Sequence, residues 1–139
     1  MALTIADSDR CPCLSGDTYG ACCGPIHRGE RLAPTAEALM RSRYSAFAVG
    51  DAAWLLTSWH PRTRPATVDL DDDVAWRRLD VLATRGGGPF DDQGEVEFAA
   101  FWRDGASGER GRLHEVSRFV REPAGPGGRW LYVDGDTQP

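Results

Sequence analysis

The spacing of polar and apolar positions changes its period once along the chain. Between residues 35 and 50 the apolar Ala36, Leu39, Met40, Tyr44 and Phe47 recur at helical spacing on one side. Thr35 stands at the N-cap position, Glu37 places an acid in the first turn, and Gly50 ends the run. This pattern predicts a core-facing amphipathic helix. Asp51 is placed to cap a second helix through DAAWLLTSW, ending before Pro61 because proline disfavours helix in the residue preceding it. The stretch HPRTRPATVDLDDD is rich in proline and charge and is predicted to be loop, with its acidic run a solvated cap to the next element.

From Val74 onward the pattern shortens. VAWRRLDVLATR, GEVEFAAFWRDG, GRLHEVSRFVREP and RWLYVDGD are each about one strand long, and clusters of Gly, Pro and Asp separate them. Alternation puts Leu113, Glu115, Ser117 and Phe119 on one face of their strand and His114, Val116, Arg118 and Val120 on the other. In the same way Val96, Phe98, Ala100 and Trp102 stand opposite Glu97, Ala99 and Phe101. Helices followed by a four-stranded antiparallel meander predict an α+β domain in which a curved sheet wraps one long helix.

Composition narrows the function classes. At 139 residues with 41% apolar content and five tryptophans, the chain is long and apolar enough to build a core. A formal net charge of −5 argues against a surface that neutralises many phosphates, so nucleic acid is not an expected partner. The start MALTIADSDR lacks the basic and apolar regions of a secretory signal, and FAVGDAAWLL is too short to span a bilayer. The expectation is a cytoplasmic protein without a membrane segment.

All four cysteines lie in CPCLSGDTYGACCG, residues 11 to 24. Disulfides would close very short loops there, and the adjacent Cys22 and Cys23 would be strained as a pair. Cys11, Cys13, Cys22 and Cys23 instead supply the four sulfurs that a tetrahedral metal site wants, and structural Zn2+ is preferred over a redox role or copper(I) binding. A closed four-sulfur shell leaves no position open for a substrate. Arg10, Arg28 and the amides of the Ser15–Gly16 turn are candidates to offset the charge of the thiolates, Tyr19 is expected over the site, and His27 is an alternative ligand. Gly24-Pro25 is expected to stop the chain from continuing as helix, with residues 25–34 as a connector.

The cysteine stretch resembles the SEC-C motif, the small zinc knuckle known from the tail of the SecA translocase motor. The motif's last ligand is commonly histidine where this chain has Cys23, and it commonly has glycine where this chain has Leu14. TAEALMRSRYSAF, TSWHP, GEVEFAAF, HEVSRF and WLYVDG, following the knuckle in that order, extend the resemblance to the YchJ-like family of SEC-C proteins. The resemblance implies a zinc-binding knuckle over residues 1–31 and a nuclear-transport-factor-2-like cone over residues 32–139. It implies no particular reaction.

Within the cone, Arg43, Tyr44, His60, Glu97, Glu115 and Arg118 are the polar residues set among apolar positions that are candidates to line a pocket. A buried ion-pair network joining Glu97 and Glu115 to Arg41 or Arg43 is preferred over catalysis, and no nucleophile with an adjacent base is evident from spacing. The expected role is a zinc-bearing adaptor that recognises a protein partner rather than an enzyme. The alternative is a ligand-binding or enzymatic cone with the knuckle as its lid.

Overall fold

A computed structural model describes residues 4–139. The fold is α+β: short helical elements at the start, one long helix, and an open four-stranded antiparallel sheet. Helix α1 spans Cys23–His27, α2 spans Ala36–Val49 and α3 spans Ala52–Thr57. The caps fall where local chemistry places them. Thr35 Oγ1 accepts the Ala38 amide at 3.0 Å, Gly50 closes α2 in the left-handed region at φ 79°, and Asp51 Oδ1 accepts the Trp54 amide at 2.9 Å. The chain then leaves α3 and runs beside the last strand, with the His60 amide donating to the Tyr132 carbonyl at 2.7 Å.

Strands β1 (Val74–Gly86), β2 (Gln93–Asp104), β3 (Arg110–Glu122) and β4 (Arg129–Thr137) pair in sequence order. The register shifts between Trp76 and Arg78 and between Val81 and Ala83 on β1, and between Arg118 and Phe119 on β3. Such bulges bend and twist a strand, and here they let the meander curve around α2. Leu79, Val96, Phe98, Ala100 and Phe119 of its concave face are buried. The β1–β2 hairpin meets the start of α2 by backbone contact. The Gly87 carbonyl accepts the Ala36 amide at 2.9 Å, and a Cβ on Gly94 would lie 2.4 Å from Gly87 Cα.

Helix α2 departs from a one-sided amphipathic pattern. Ala36, Leu39, Met40 and Tyr44 are buried in keeping with their spacing, but so are Ser42, Arg43, Ser45 and Ala46, while Phe47 remains 37% exposed. The reason is that α2 has two neighbours. The sheet covers one side, and the cysteine segment, packed through α1, covers another. Cys11, Cys13, Tyr19, Cys23 and Ile26 therefore share one buried cluster with Leu39, Met40, Phe98 and Phe119. Packing runs without a break across the boundary expected near residue 31.

Gly24 and Pro25 do not interrupt the chain as expected, since they lie inside α1. Proline is tolerated in a first helical turn because its missing N–H would have no intrahelical partner there.

The hairpin contact gives a test of how the helix is seated. Gly94→Ala should destabilise the protein by about 1–3 kcal/mol through overpacking against Gly87, read as a lower urea midpoint, while Gly108→Ala in an open turn should not act through packing at all.

Candidate metal centre and cone cavity

The four sulfurs of Cys11, Cys13, Cys22 and Cys23 lie within 4.8 Å of one another. Two tight turns bring them together. The Leu14 amide donates to the Cys11 carbonyl at 3.1 Å and the Cys11 amide to the Asp17 carbonyl at 3.0 Å, so the first pair folds back on itself. Tyr19–Ala21 forms a 3-10 turn that delivers Cys22 and Cys23 to the start of α1. Cys11, Cys13 and Cys23 are buried and Cys22 is half-buried, and none of the four is in a disulfide. Leu14 takes φ 63°, a left-handed conformation that disfavours a side chain by on the order of 1 kcal/mol and explains glycine as the commoner residue of the resembling motif.

The groups around the sulfurs come from α2 and from the loops between and after the cysteines. Ser45 Oγ donates to Cys23 Sγ at 3.4 Å and lies 3.6 Å from Cys11 Sγ. Ser15 Oγ is 3.2 Å from Cys22 Sγ. Arg41 Nη1 donates to the Cys13 carbonyl at 2.7 Å, and Arg31 Nη2 to the Cys22 carbonyl at 3.1 Å. Arg28, expected beside the sulfurs, instead forms exposed ion pairs with Asp7 and Glu30. Arg10 contributes a backbone bridge to Thr18. Sequence spacing had no means of selecting Ser45, which is 22 residues beyond Cys23.

His27 is bound on both sides of its ring. Nε2 contacts the Ser42 carbonyl at 2.7 Å, so it must carry the proton, and Nδ1 then accepts from the Tyr19 hydroxyl at 2.6 Å. Burial lowers the pKa of His27, which favours this neutral form, and the same burial pushes the Tyr19 phenol up to about 12. With both nitrogens engaged, His27 joins the segment to α2 rather than replacing a cysteine. Tyr19 accordingly sits over His27.

A second site lies on the other side of α2. A cavity of about 230 Å³ opens between the helix and the concave sheet, walled by Tyr44, Phe47, Trp59, Trp76, Phe98 and Tyr132 among others. The structure brings Arg43, Tyr44 and Glu115 together in its lining. The other three candidates lie elsewhere. Glu97 is on the convex face, where it meets His114 at 2.7 Å and Arg85 at 3.7 Å. Arg118, also convex, pairs with Asp134 and Asp136 at 2.6 and 2.8 Å. His60 packs outside the cavity with Nε2 2.6 Å from Glu122. All three follow from the pleat or the chain path: odd positions of β3 face inward and even positions outward, β2 does the reverse, and His60 has already left α3.

The expected ion-pair network is therefore not what holds the interior. Arg43 Nη1 donates to the Leu55 carbonyl at 2.9 Å and to Ser58 Oγ at 2.6 Å, and its guanidinium carbon stands 4.4 Å from the Tyr132 ring centre and 5.1 Å from that of Trp59. Burial, at 7% exposure, pushes its pKa down to about 10. Glu115 Oε2 accepts from Ser117 Oγ and, at 3.4 Å, from the Tyr132 hydroxyl. Burial raises the Tyr132 phenol to about 12, so it remains a donor. Arg41 turns to the opposite side of α2 and pairs with Glu37 at 3.0 Å. Among the described residues every one that lines the cavity lies between 40 and 132, so none of the lining comes from the cysteine segment.

Ser45 supplies a direct test of the sulfur cluster. Ser45→Ala should weaken metal binding about 10–100-fold, as loss of an outer hydrogen bond to a ligand commonly does, read from thiolate-to-cobalt(II) charge-transfer absorption during titration against a competing chelator.

Comparison with known proteins agrees with both halves of this arrangement. Residues 8–25 match the SEC-C motif, and residues 35–135 match the family described as YchJ, middle NTF2-like domain. A UPF0225 protein of Corynebacterium glutamicum is 51% identical over 128 residues, covering 92% of this chain and 97% of the relative. A UPF0225 protein of Streptomyces coelicolor is 50% identical over 126 residues, covering 91% and 94%. The solution structure of a SEC-C motif containing protein from Rhodopseudomonas palustris superposes with a TM-score of 0.78 at 35% identity, covering 93% of this chain and 98% of that one. A crystal structure of another from Psychrobacter arcticus gives 0.75 at 26% identity, covering 96% and 85%. With a knuckle of four converging thiols, a curved meander around one helix and these relatives, the chain belongs to the YchJ-like family of SEC-C motif proteins.

Proposed function

We propose that this protein is a zinc-stabilised cone that binds a small, largely apolar molecule, with the metal in a structural role. The observation that carries the binding role is the cavity, where aromatic walls surround one buried cation and one carboxylate that do not neutralise each other directly. Zinc is supported by the donor set. A tetrahedron with zinc–sulfur bonds of about 2.3 Å has sulfur–sulfur edges of about 3.8 Å. Cys13 and Cys22 stand 3.6 Å apart, and Cys22 and Cys23 stand 3.9 Å apart. Four protein sulfurs would complete the shell, so the metal would supply cross-linking rather than chemistry on a substrate.

A protein partner is the second reading, and it has the exposure of Leu14 and Leu32, at 46% and 54%, in its favour. Single exposed leucines are ordinary on soluble proteins, whereas a cavity that combines buried charge with aromatic walls is not. The ligand-binding reading therefore takes precedence.

Two outcomes are expected. Protein purified without added metal should carry close to one zinc per chain, and its removal should lower the single thermal transition of the whole chain by more than about 10 °C, because the thiols share a core with α2. Local melting of the cysteine segment with an unchanged main transition would contradict that shared core. For the cavity, toluene should shift the Met40 and Leu113 methyl resonances in NMR spectra of the zinc-loaded protein, and Leu113→Trp, which fills the space, should abolish the shift of the remaining Met40 probe.

A further inference from the structure

Resting on the ligand-binding reading, we infer that the cavity takes an aryl compound whose polar head carries no net charge and presents both a hydrogen-bond acceptor and a donor, as a carboxamide does. Size sets the first limit. A dry cavity of about 150 Å³ admits benzene. At about 230 Å³ this one has room for a single ring with a small substituent. Its walls favour a ring over a chain. Tyr44 meets Trp76 edge-on at 6.2 Å, and Trp59 meets Tyr132 edge-on at 5.1 Å, the geometry that an added ring can extend.

Electrostatics sets the second limit. Among the described residues Arg43 and Glu115 are the two charged groups lining the cavity, and no ion pair within 4.0 Å joins them. Arg43 spends only Nη1 on protein acceptors, and Glu115 receives both of its hydrogen bonds on Oε2. Among the described residues Nε and Nη2 of Arg43 and Oε1 of Glu115 have no hydrogen-bond partner, so one side of the cavity wants an acceptor and the other a donor. A carboxylate ligand would satisfy Arg43 and be repelled by Glu115. An ammonium ligand would meet the reverse problem, beside a guanidinium that already occupies the faces of Trp59 and Tyr132. A neutral head with its carbonyl toward Arg43 and its N–H toward Glu115 meets both demands and leaves no added charge to be desolvated.

The experiment titrates the zinc-loaded full chain with benzamide, benzoate, benzylammonium and toluene, following the Met40 and Leu113 methyl resonances. Benzamide should bind at least about tenfold more tightly than each of the other three. Glu115→Leu should remove about tenfold of the benzamide affinity while improving benzoate, and Glu115→Gln, which keeps a carbonyl acceptor, should retain most of it. Well-dispersed methyl spectra and a cooperative urea transition in both variants show that they remain folded. Toluene binding as well as benzamide overturns the inference about the head group and leaves the ligand-binding reading standing. Preference for benzoate or benzylammonium also overturns it. No shift with any of the four overturns both.

Discussion

Everything in this molecule depends on the burial of α2 from two opposed directions. A helix in a small α+β domain normally hides one stripe against the sheet and shows the other to water. Here the second side carries Arg41, Ser42 and Ser45, and each touches the cysteine segment: Arg41 through the Cys13 carbonyl, Ser42 through its own main-chain carbonyl on His27, Ser45 through two sulfurs. Buried serines and an arginine on a helix are tolerated only when their hydrogen bonds are met. The cysteine segment meets those of Ser45 and Arg41, while Ser42 Oγ donates to the Leu39 carbonyl and accepts from Trp54 Nε1, so the segment belongs to the core rather than hanging from it.

Because one helix separates the two sites, each limits the other. Met40, Arg43, Tyr44 and Phe47 face the cavity, while residues one or two positions away face the sulfurs. A shift of α2 that loosened the thiol cluster would also move the cavity wall. On the proposed reading the metal would clamp the helix and the concave sheet would carry recognition. It also fits the absence of any cysteine-segment residue from the cavity lining.

The cavity keeps its two charged residues on separate partners. Arg43 is held by carbonyl, hydroxyl and ring faces, and Glu115 by two hydroxyls, so two opposite charges are stabilised separately. A direct salt bridge would have cancelled both fields and left an apolar hole. Keeping them apart leaves a dipole across an aromatic space, which is a feature that only a polar guest can use.

Local chemistry alone determined a good deal. Thr35, Gly50 and Asp51 act on their own neighbours, so the ends of α2 and the start of α3 were legible, as were four strands from their alternation and their Gly-rich turns. The convergence of Cys11, Cys13, Cys22 and Cys23 was legible too, since four thiols confined to one short segment are the donor set of a tetrahedral metal site. Alternation correctly grouped Glu115 with Ser117 and separated both from Arg118, but it is symmetric between the faces of a strand. Only the direction of sheet curvature decided that Glu115 enters the cavity while Glu97 and Arg118 meet partners outside. The second covering of α2 was likewise invisible, because a helical period records that residues share a side and not how many neighbours the helix has. The pairing of Ser45 with sulfur and of His27 with Ser42 joins residues far apart in the chain, and that information exists only once tertiary packing has brought the cysteine segment back onto the helix.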